Sequence, residues 1–582
     1  MKWNNSLTRS MLKYSHLYVL GIIAVIFVDI IQLKIPEITG SVTDGLEQGT
    51  LTFKSLLPYM LEILLIGVLI TVGRFVWRYF VFGTSRYVER DMRTQFFGKM
   101  LRLSQSFFNK NKTGDMMAHA TNDLSAIRMM AGPGIVMFID TTLFTALVLY
   151  KMLTYVDVRL TLVAIIPMPL IAINSLFIGK AIRKRFKDKQ EVFSEMTEMV
   201  QENISGIRVI KAFVQEAQEL KAFNKVNQKN YHQNMRVTRL QALMQPFAAF
   251  IVGLCIVLVL AYGGYLAMIG VITIGNLVAF VQYLFMLTWP MVALGMGINI
   301  MSQGLASLQR FEFVLAQKED VFDEKSDEGI THLEGDIEFR QLDFTYSDEI
   351  SVLHGIEGHI KKGETIGIIG RTGSGKTTLI SLLSRLYNPP EGKIWIDGHE
   401  LYQIPLKTLR HDVVCVPQDN FLFSETISNN IAFAAVDTSF EDIEAAAKAA
   451  IIHDNILAFP EGYETMVGEK GVTLSGGQKQ RVSIARALLL DAPILILDDS
   501  ISAVDTNTED LLLKQLKEKR VGKTTLIIAH RISSIAHADQ IWVLDEGKII
   551  ERGTHASLLA LDGLYALLNT KQQLEKDLQE MA

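Results

Sequence analysis

Gly370-Arg371-Thr372-Gly373-Ser374-Gly375-Lys376-Thr377 is the stretch on which the reading of this chain turns. It follows an apolar run, Thr365–Ile369, and precedes a helical pattern from Thr378. This is G-x-x-x-x-G-K-[ST] in a strand–loop–helix context, the arrangement that turns a sequence match into a phosphate-binding loop. Glycines let the backbone wrap round phosphate, so that successive N–H groups and a helix N-terminus face the negative charge. The Lys376 ammonium is expected to reach the β and γ phosphates, and the Thr377 hydroxyl to ligate Mg2+. Further along, Ile494-Leu495-Ile496-Leu497 runs into Asp498 and Asp499. Four apolar residues ending in carboxylates describe a buried parallel strand that delivers an acid at its C-terminal end. Asp498 is placed to hold the same Mg2+.

Working outward, the two halves of the 582 residues differ in kind. Hydrophobic residues make up 49% and mean hydropathy is +0.23, so part of the chain is expected in lipid. Apolar runs of spanning length recur near 17–38, 56–82, 132–155, 159–179, 246–268 and 274–301. About 20 residues cross a hydrocarbon core of about 30 Å. After Arg310 short Ile/Val-rich strands alternate with charged helical stretches, which is α/β patterning. The expected architecture is a six-span α-helical domain over 1–310 with long cytoplasmic helical extensions, a linker over 311–334, an α/β phosphate-loop domain over 335–575 and a tail over 576–582.

Charge orients this arrangement. The segments 83–131 and 180–239 are rich in Lys and Arg, whereas 40–54 carries only Lys54 and 269–273 carries no charge. The positive-inside rule then puts both long loops, the N-terminus and the C-terminal half in the cytoplasm. The loops are expected to extend the membrane helices and turn back at short connecting helices, at Thr113–Asn122 with Gly114 and at Ser205–Phe213 with Gly206. A net charge of −5 gives no reason to expect nucleic-acid binding. Cys255 and Cys415, the two cysteines, indicate neither a disulfide framework nor a thiolate metal site.

A third motif, Leu474-Ser475-Gly476-Gly477-Gln478, resembles the signature of ATP-binding cassette proteins. The rest of that family's set stands in order. Tyr346 resembles the aromatic that stacks on adenine, and Gln418 in Val-Pro-Gln-Asp the glutamine that senses Mg2+ and faces the membrane domain. Val467-Gly468-Glu469-Lys470-Gly471 resembles the contact loop of exporters. Ser502-Ala503-Val504-Asp505 resembles the loop crossing the dimer interface, and His530 the switch histidine at the γ-phosphate. The resemblance implies that ATP and Mg2+ are the cofactors. Gly370 to Thr378, together with Tyr346, would bind the nucleotide, with Thr377, Gln418 and Asp498 around the metal. Ser475, Gly476, Gly477 and Gln478 would close over ATP held by a second half-transporter. Read without the family, Ser475 is a helix cap.

One position departs from the family pattern. Glutamate normally follows the Mg2+-binding aspartate and polarises the attacking water, and here Asp499 stands instead. Its carboxylate sits back by one C–C bond, about 1.5 Å, and a misplacement of about 1 Å can cost on the order of 100-fold in rate. Either Asp499 works slowly, or this chain resembles the degenerate subunit of a bacterial heterodimeric multidrug exporter, whose partner carries glutamate and an altered signature. A homodimeric exporter of lipid or of a dedicated peptide is the alternative. A peptide exporter would usually carry an N-terminal protease domain, and this chain begins almost at its first span. Six spans fused to a cassette argue against a soluble DNA-repair or translation ATPase, and an importer usually keeps its membrane domain on a separate chain.

Charge inside lipid costs about 2.5–3.5 kcal/mol even on lenient scales and so points to function. Asp140 is expected to pair with Arg74 or Arg78, and Asp29 to face a cavity. The sixth span carries Phe280, Tyr283, Phe285, Met286, Trp289, Met291 and Met296, side chains suited to a pliable apolar cavity for small hydrophobic substrates. Pro167, Pro169 and Pro290 are expected to bend their helices. The absence of an organelle presequence favours a bacterial plasma membrane.

Overall fold

The computed structural model describes residues 6–346, 351–435, 437–468, 471, 474–502 and 504–581, for some of them the backbone only. Two compact units emerge: Met1–Leu101 with Thr113–Gln317, and Arg102–Lys112 with Lys318–Ala582.

The first unit is helical. Among the described residues five helical stretches are long and apolar enough to cross a membrane: Ser15–Glu47, Phe53–Arg102, Thr113–Val156, Ala249–Met268 and Ile274–Leu315. The expected span 159–179 is not among them, and the side chains of several of its residues lie outside the description. Val158–Ile165 ends and Pro169–Ser205 begins, with Ile166–Met168 between. The breaks follow a rule. A proline ring clashes with the carbonyl four residues earlier and offers no N–H. Ser15–Gln32 ends four residues before Pro36, Val158–Ile165 four before Pro169, and Ile274–Met286 four before Pro290. Pro246 and Pro58 depart from the rule, lying inside the unbroken helices Glu216–Met268 and Phe53–Arg102.

At 1.5 Å per residue the 50-residue helix Phe53–Arg102 is about 75 Å long. That far exceeds a bilayer core, so the membrane helices do extend into the long loops. The second turn falls where expected, at the short helix Ile207–Ala212. The first does not: Thr113–Asn122 begins the returning helix, and the chain reverses earlier, around the short helix Gln105–Lys110. Gly114 sits in the first turn of a helix, where it breaks nothing. The reversal is made by Ser104 and Asn111, both in extended backbone conformation on either side of Gln105–Lys110.

Small residues allow two helices to approach closely. A Cβ on Gly275 would stand 2.1 Å from the Gly40 carbonyl oxygen. Asp44 locks the same junction, accepting from Gly275 N at 2.6 Å and from Thr273 Oγ1 at 2.7 Å. Gly275→Ala must push the two helices apart, which overpacking data put at about 1–3 kcal/mol. The thermal midpoint of the purified chain should fall by about 2–5 °C, read by unfolding in detergent.

The second unit holds ten strands among its described residues. These are β1 Ile337–Thr345, β2 Ser351–Ile360, β3 Thr365–Gly370, β4 Ile394–Ile396, β5 His399–Glu400, β6 Val413–Val416, β7 Ile494–Asp498, β8 Thr524–Ile528, β9 Gln540–Asp545 and β10 Lys548–Gly553. One sheet is antiparallel, in the order β2-β1-β4-β5. The other runs β10-β9-β3-β8-β7-β6, with β9, β3, β8, β7 and β6 parallel. The strands β7 and β8 are buried along their whole length, as parallel strands covered on both faces must be. Open parallel sheets place their ligand sites beyond the C-terminal ends of the strands, where β3 and β7 deliver Gly370 and Asp498.

Candidate functional site

The phosphate loop leaves β3 at Gly370 and enters the helix Lys376–Leu383. Backbone geometry demands glycine here. Gly373 and Gly375 have φ of 84° and 97°, values that side chains resist. A Cβ on Gly370 would lie 1.9 Å from the Leu544 carbonyl oxygen. Lys376 is only 6% exposed. Its Nζ donates to the carbonyls of Gly370 at 2.9 Å and Arg371 at 2.8 Å, so the ammonium lies directly over the loop. Burial pulls its pKa down, while Asp498 and Asp499 resist that shift.

The two acids end β7. The Thr377 hydroxyl lies beside Asp498 and opposes the rise that burial gives the carboxyl's pKa. Gln418 Nε2 donates to Asp499 Oδ2 at 3.3 Å. Asp499 has a left-handed φ of 46°. Its backbone is held by Asp499 N donating to Ile528 O at 2.9 Å and by Ser502 Oγ donating to its own carbonyl at 3.0 Å. His530 is near enough to Asp498 to interact with it electrostatically. The structure therefore brings Lys376, Thr377, Gln418, Asp498, Asp499 and His530 to one place.

This geometry fits a magnesium nucleotide. The glycine cradle admits no Cβ at Gly370, and a buried ammonium faces the loop. Thr377 and Asp498 present two hard oxygens side by side. Among the described residues no cluster of three or more His, Cys, Asp or Glu could hold a metal, but Mg2+ takes few protein ligands beside water and phosphate.

The signature residues lie elsewhere. Ser475 caps the helix Gly476–Leu489 in a full capping box. Gln478 N donates to Ser475 Oγ at 3.3 Å, and Ser475 N donates to Gln478 Oε1 at 2.9 Å. The plain capping role is thus real, and the hydrogen bonds of this pair stay within the helix start rather than reaching the phosphate loop. Asp505 caps the next helix, accepting from Thr508 N at 3.0 Å. Glu469 and Lys470 of the expected contact loop, and Ala503, lie outside the described residues. Both cysteines are free. Burial pushes the Cys415 thiol up to about 12.

Two features escaped sequence reading. Tyr346 donates to or accepts from Thr378 Oγ1 at 3.1 Å, and its ring meets Tyr387 edge-on at 5.2 Å. Tyr387 in turn accepts from Asn109 Nδ2 at 2.7 Å. The turn segment Arg102–Lys112 is therefore linked by two tyrosines to the loop helix. It is also tied down by Arg102 on Glu319 at 3.1 Å and Ser104 on Asp320 at 3.1 Å. No local pattern marks a contact across some 280 residues.

The second feature is Gln572. From the C-terminal helix Leu564–Met581 it donates to His530 O at 2.7 Å and accepts from Ile532 N at 2.9 Å. Glu509, 1% exposed, holds the same segment from its other side through Ser534 and Arg531. Gln572→Ala removes two hydrogen bonds worth about 1 kcal/mol each. On an Asp499→Glu background it should lower kcat about fivefold with KM for ATP little changed, in steady-state ATPase assays.

Charged groups in the helical unit differ from expectation. Asp29 and Asp140 line one cavity with Arg74 and Arg78, but neither arginine forms an ion pair with Asp140. Arg74 donates to Gln32 Oε1 at 3.2 Å, and Arg78 stands 5.5 Å from the Trp77 ring centroid. Arg74 nevertheless acts electrostatically on both Asp140 and Asp29. Phe285, Met286 and Trp289 do line the cavity. Phe280 and Tyr283 do not, being fully buried in the helix packing, with Tyr283 donating to Leu33 O at 3.0 Å beside the break before Pro36. Met296 is exposed away from the cavity lining, and the Met291 side chain lies outside the description.

Comparison with known proteins agrees with both units. The family profile of the ABC transporter transmembrane region matches residues 18–291, and that of the ABC transporter matches residues 353–502. A probable multidrug resistance ABC transporter ATP-binding/permease protein of Bacillus subtilis is 41% identical, over 96% of this chain and 95% of its own. An ATP-dependent lipid A-core flippase of Syntrophus aciditrophicus is 37% identical, over 83% of this chain and 80% of its own. The solved structure of a bacterial Atm1-family ABC exporter with ATP bound superposes with a TM-score of 0.79 at 28% identity, covering 96% of this chain and 99% of that one.

Proposed function

The chain belongs to the ABC transporter family, a multi-pass membrane protein with an ATP-binding domain, and from that premise we propose that it exports hydrophobic or amphipathic compounds by alternating access. The observation that carries this reading is the joining, in one chain, of an apolar helical unit that matches the transporter's transmembrane region to a domain that matches the ABC transporter profile. Six spans, with the interrupted fourth crossing as Val158–Ile165 and Pro169–Ser205, put the ATP-binding domain and the N-terminus in the cytoplasm of a bacterial plasma membrane.

The working unit is a dimer. Lys376 and the glycine loop would hold the phosphates of ATP and Tyr346 its adenine, and Thr377, Gln418 and Asp498 would hold Mg2+, which would neutralise phosphate charge. Ser475 to Gln478 offer the helix N-terminus to ATP held by the second subunit. Asp499 and His530 orient water and γ-phosphate. Sandwich closure draws the subunits together and hydrolysis resets them. Because Asp499 replaces glutamate, the partner is a second, catalytically complete subunit, and this chain's own site turns over slowly. The flippase relative supports a second reading, a homodimer that moves lipid.

Inside-out vesicles containing this chain with its co-purified partner test the proposal. ATP-dependent accumulation of a hydrophobic dye, abolished by Lys376→Ala, is the expected result. No ATP-dependent movement of dye or of fluorescent lipid would refute export.

A further inference from the structure

The two basic stretches of the helical unit, 83–131 and 180–239, treat their charge differently. Around the first, cations are neutralised in place. Lys13 and Arg90 meet Asp91 at 2.6 and 2.8 Å, and Arg93 and Arg128 meet Glu89 at 2.7 and 3.2 Å. In the second they are not. Residues 180–189 hold six Lys and Arg against one acid, Asp188, and 230–245 hold Arg236 and Arg239 against none. Among the described residues, Lys180, Lys184, Lys187 and Arg239 make no ion pair. Pairing resumes further along the same two helices, where Lys229 meets Glu195 at 2.7 Å.

The unpaired cations are placed in order. Ile173, Phe177, Lys180, Lys184 and Lys187 follow one another at steps of four and three residues along the helix Pro169–Ser205, so they share one face. All five are exposed, Ile173 by 47% and Phe177 by 72%. The apolar pair stands inside the run that ends at 179, and the ammonium groups begin directly beyond it. From Phe177 to Lys184 the helix rises about 10 Å, enough to pass from hydrocarbon through a headgroup layer about 5–8 Å deep. Arg185 Nη1 donates to Arg236 O at 3.3 Å. This brings Arg236, and Arg239 one turn on, to the level of the lysines. Like charges gathered without acids repel one another until an anion joins them. An anion that fits this face must also carry an apolar tail, because Phe177 and Ile173 continue it toward the hydrocarbon. We propose that the face binds an anionic phospholipid of the inner leaflet, with acyl chain along Ile173 and Phe177 and phosphate among Lys180, Lys184, Lys187 and Arg239. The proposal rests on the membrane orientation given above only for the leaflet, since lipid preference is measurable without it.

The full chain in neutral detergent is titrated with phosphatidylglycerol and with phosphatidylcholine of the same acyl chains, and bound lipid is counted by native mass spectrometry. Wild type should bind phosphatidylglycerol about tenfold more tightly, a preference that shrinks as salt rises. The triple variant Lys180→Gln, Lys184→Gln, Lys187→Gln should bring the two lipids within about twofold. The double variant Lys13→Gln, Arg90→Gln, whose cations already face Asp91, should keep the preference. Fluorescent-nucleotide binding by each variant reports that it is folded. Equal affinities in wild type, an unchanged preference in the triple variant, or displacement of phosphatidylglycerol by inorganic phosphate overturns the site. Orientation is the separate arm. A membrane-impermeant maleimide should label Lys184→Cys, on a background lacking Cys255 and Cys415, in inside-out vesicles and not in whole cells. Labelling in whole cells alone would overturn the orientation and the inner leaflet with it, a failure distinct from loss of the lipid preference.

Discussion

Asp499→Glu raises the Mg-ATPase rate of this chain in lipid by about 100-fold. The main chain at this position is already set: Asp499 N donates to Ile528 O and Ser502 Oγ donates to the Asp499 carbonyl. The substitution therefore lengthens the side chain by one methylene without moving the strand end. Its carboxylate advances by about 1.5 Å from a place where Gln418 Nε2 now meets it at 3.3 Å. The left-handed φ of 46° suits aspartate better than glutamate, a small cost beside the rate gained. Steady-state phosphate release from wild type and variant decides the matter. A slow wild type that gains with glutamate points to a catalytic partner, sought by co-purification. A brisk wild type shows that Asp499 suffices and that a homodimer is enough.

Lys376→Ala should weaken ATP binding about 100-fold, as loss of a preorganised charged donor in a dry site does. The ammonium is almost buried, and its pKa is lowered by that burial. Asp498 and Asp499 face it and oppose that lowering. Removing it leaves those two acids uncompensated beside incoming phosphate, so the penalty exceeds one lost hydrogen bond. Fluorescent-nucleotide titration reads the effect. Lys376→Arg should rescue little, because the larger planar guanidinium cannot lie over the Gly370 and Arg371 carbonyls as a compact ammonium does. Retained affinity in the alanine variant would remove Lys376 from the phosphate site.

The nucleotide site was legible because its chemistry is local. A glycine loop, a strand ending in acid and a helix cap each occupy a few consecutive residues, and backbone geometry forces their residue types. Helix breaks were legible in part, since proline acts on the carbonyl four residues earlier; Pro36 has the same effect as Pro290 but stands nearer the end of an apolar run. Where Gly114 suggested a turn, the reversal lies at Ser104–Asn111, because glycine is harmless in a helix's first turn while extended residues are not.

Long-range partners were not legible. The links from Asn109 through Tyr387 to Tyr346, the grip of Gln572 on the His530 segment, and the meeting of Asp29 with Asp140 join residues that pattern cannot pair. The sequence alone determined that this protein joins membrane helices to an ATP-binding cassette, because composition and short motifs carry that information. Only the tertiary structure decided which charged and polar side chains meet, because those contacts depend on how distant helices and strands pack.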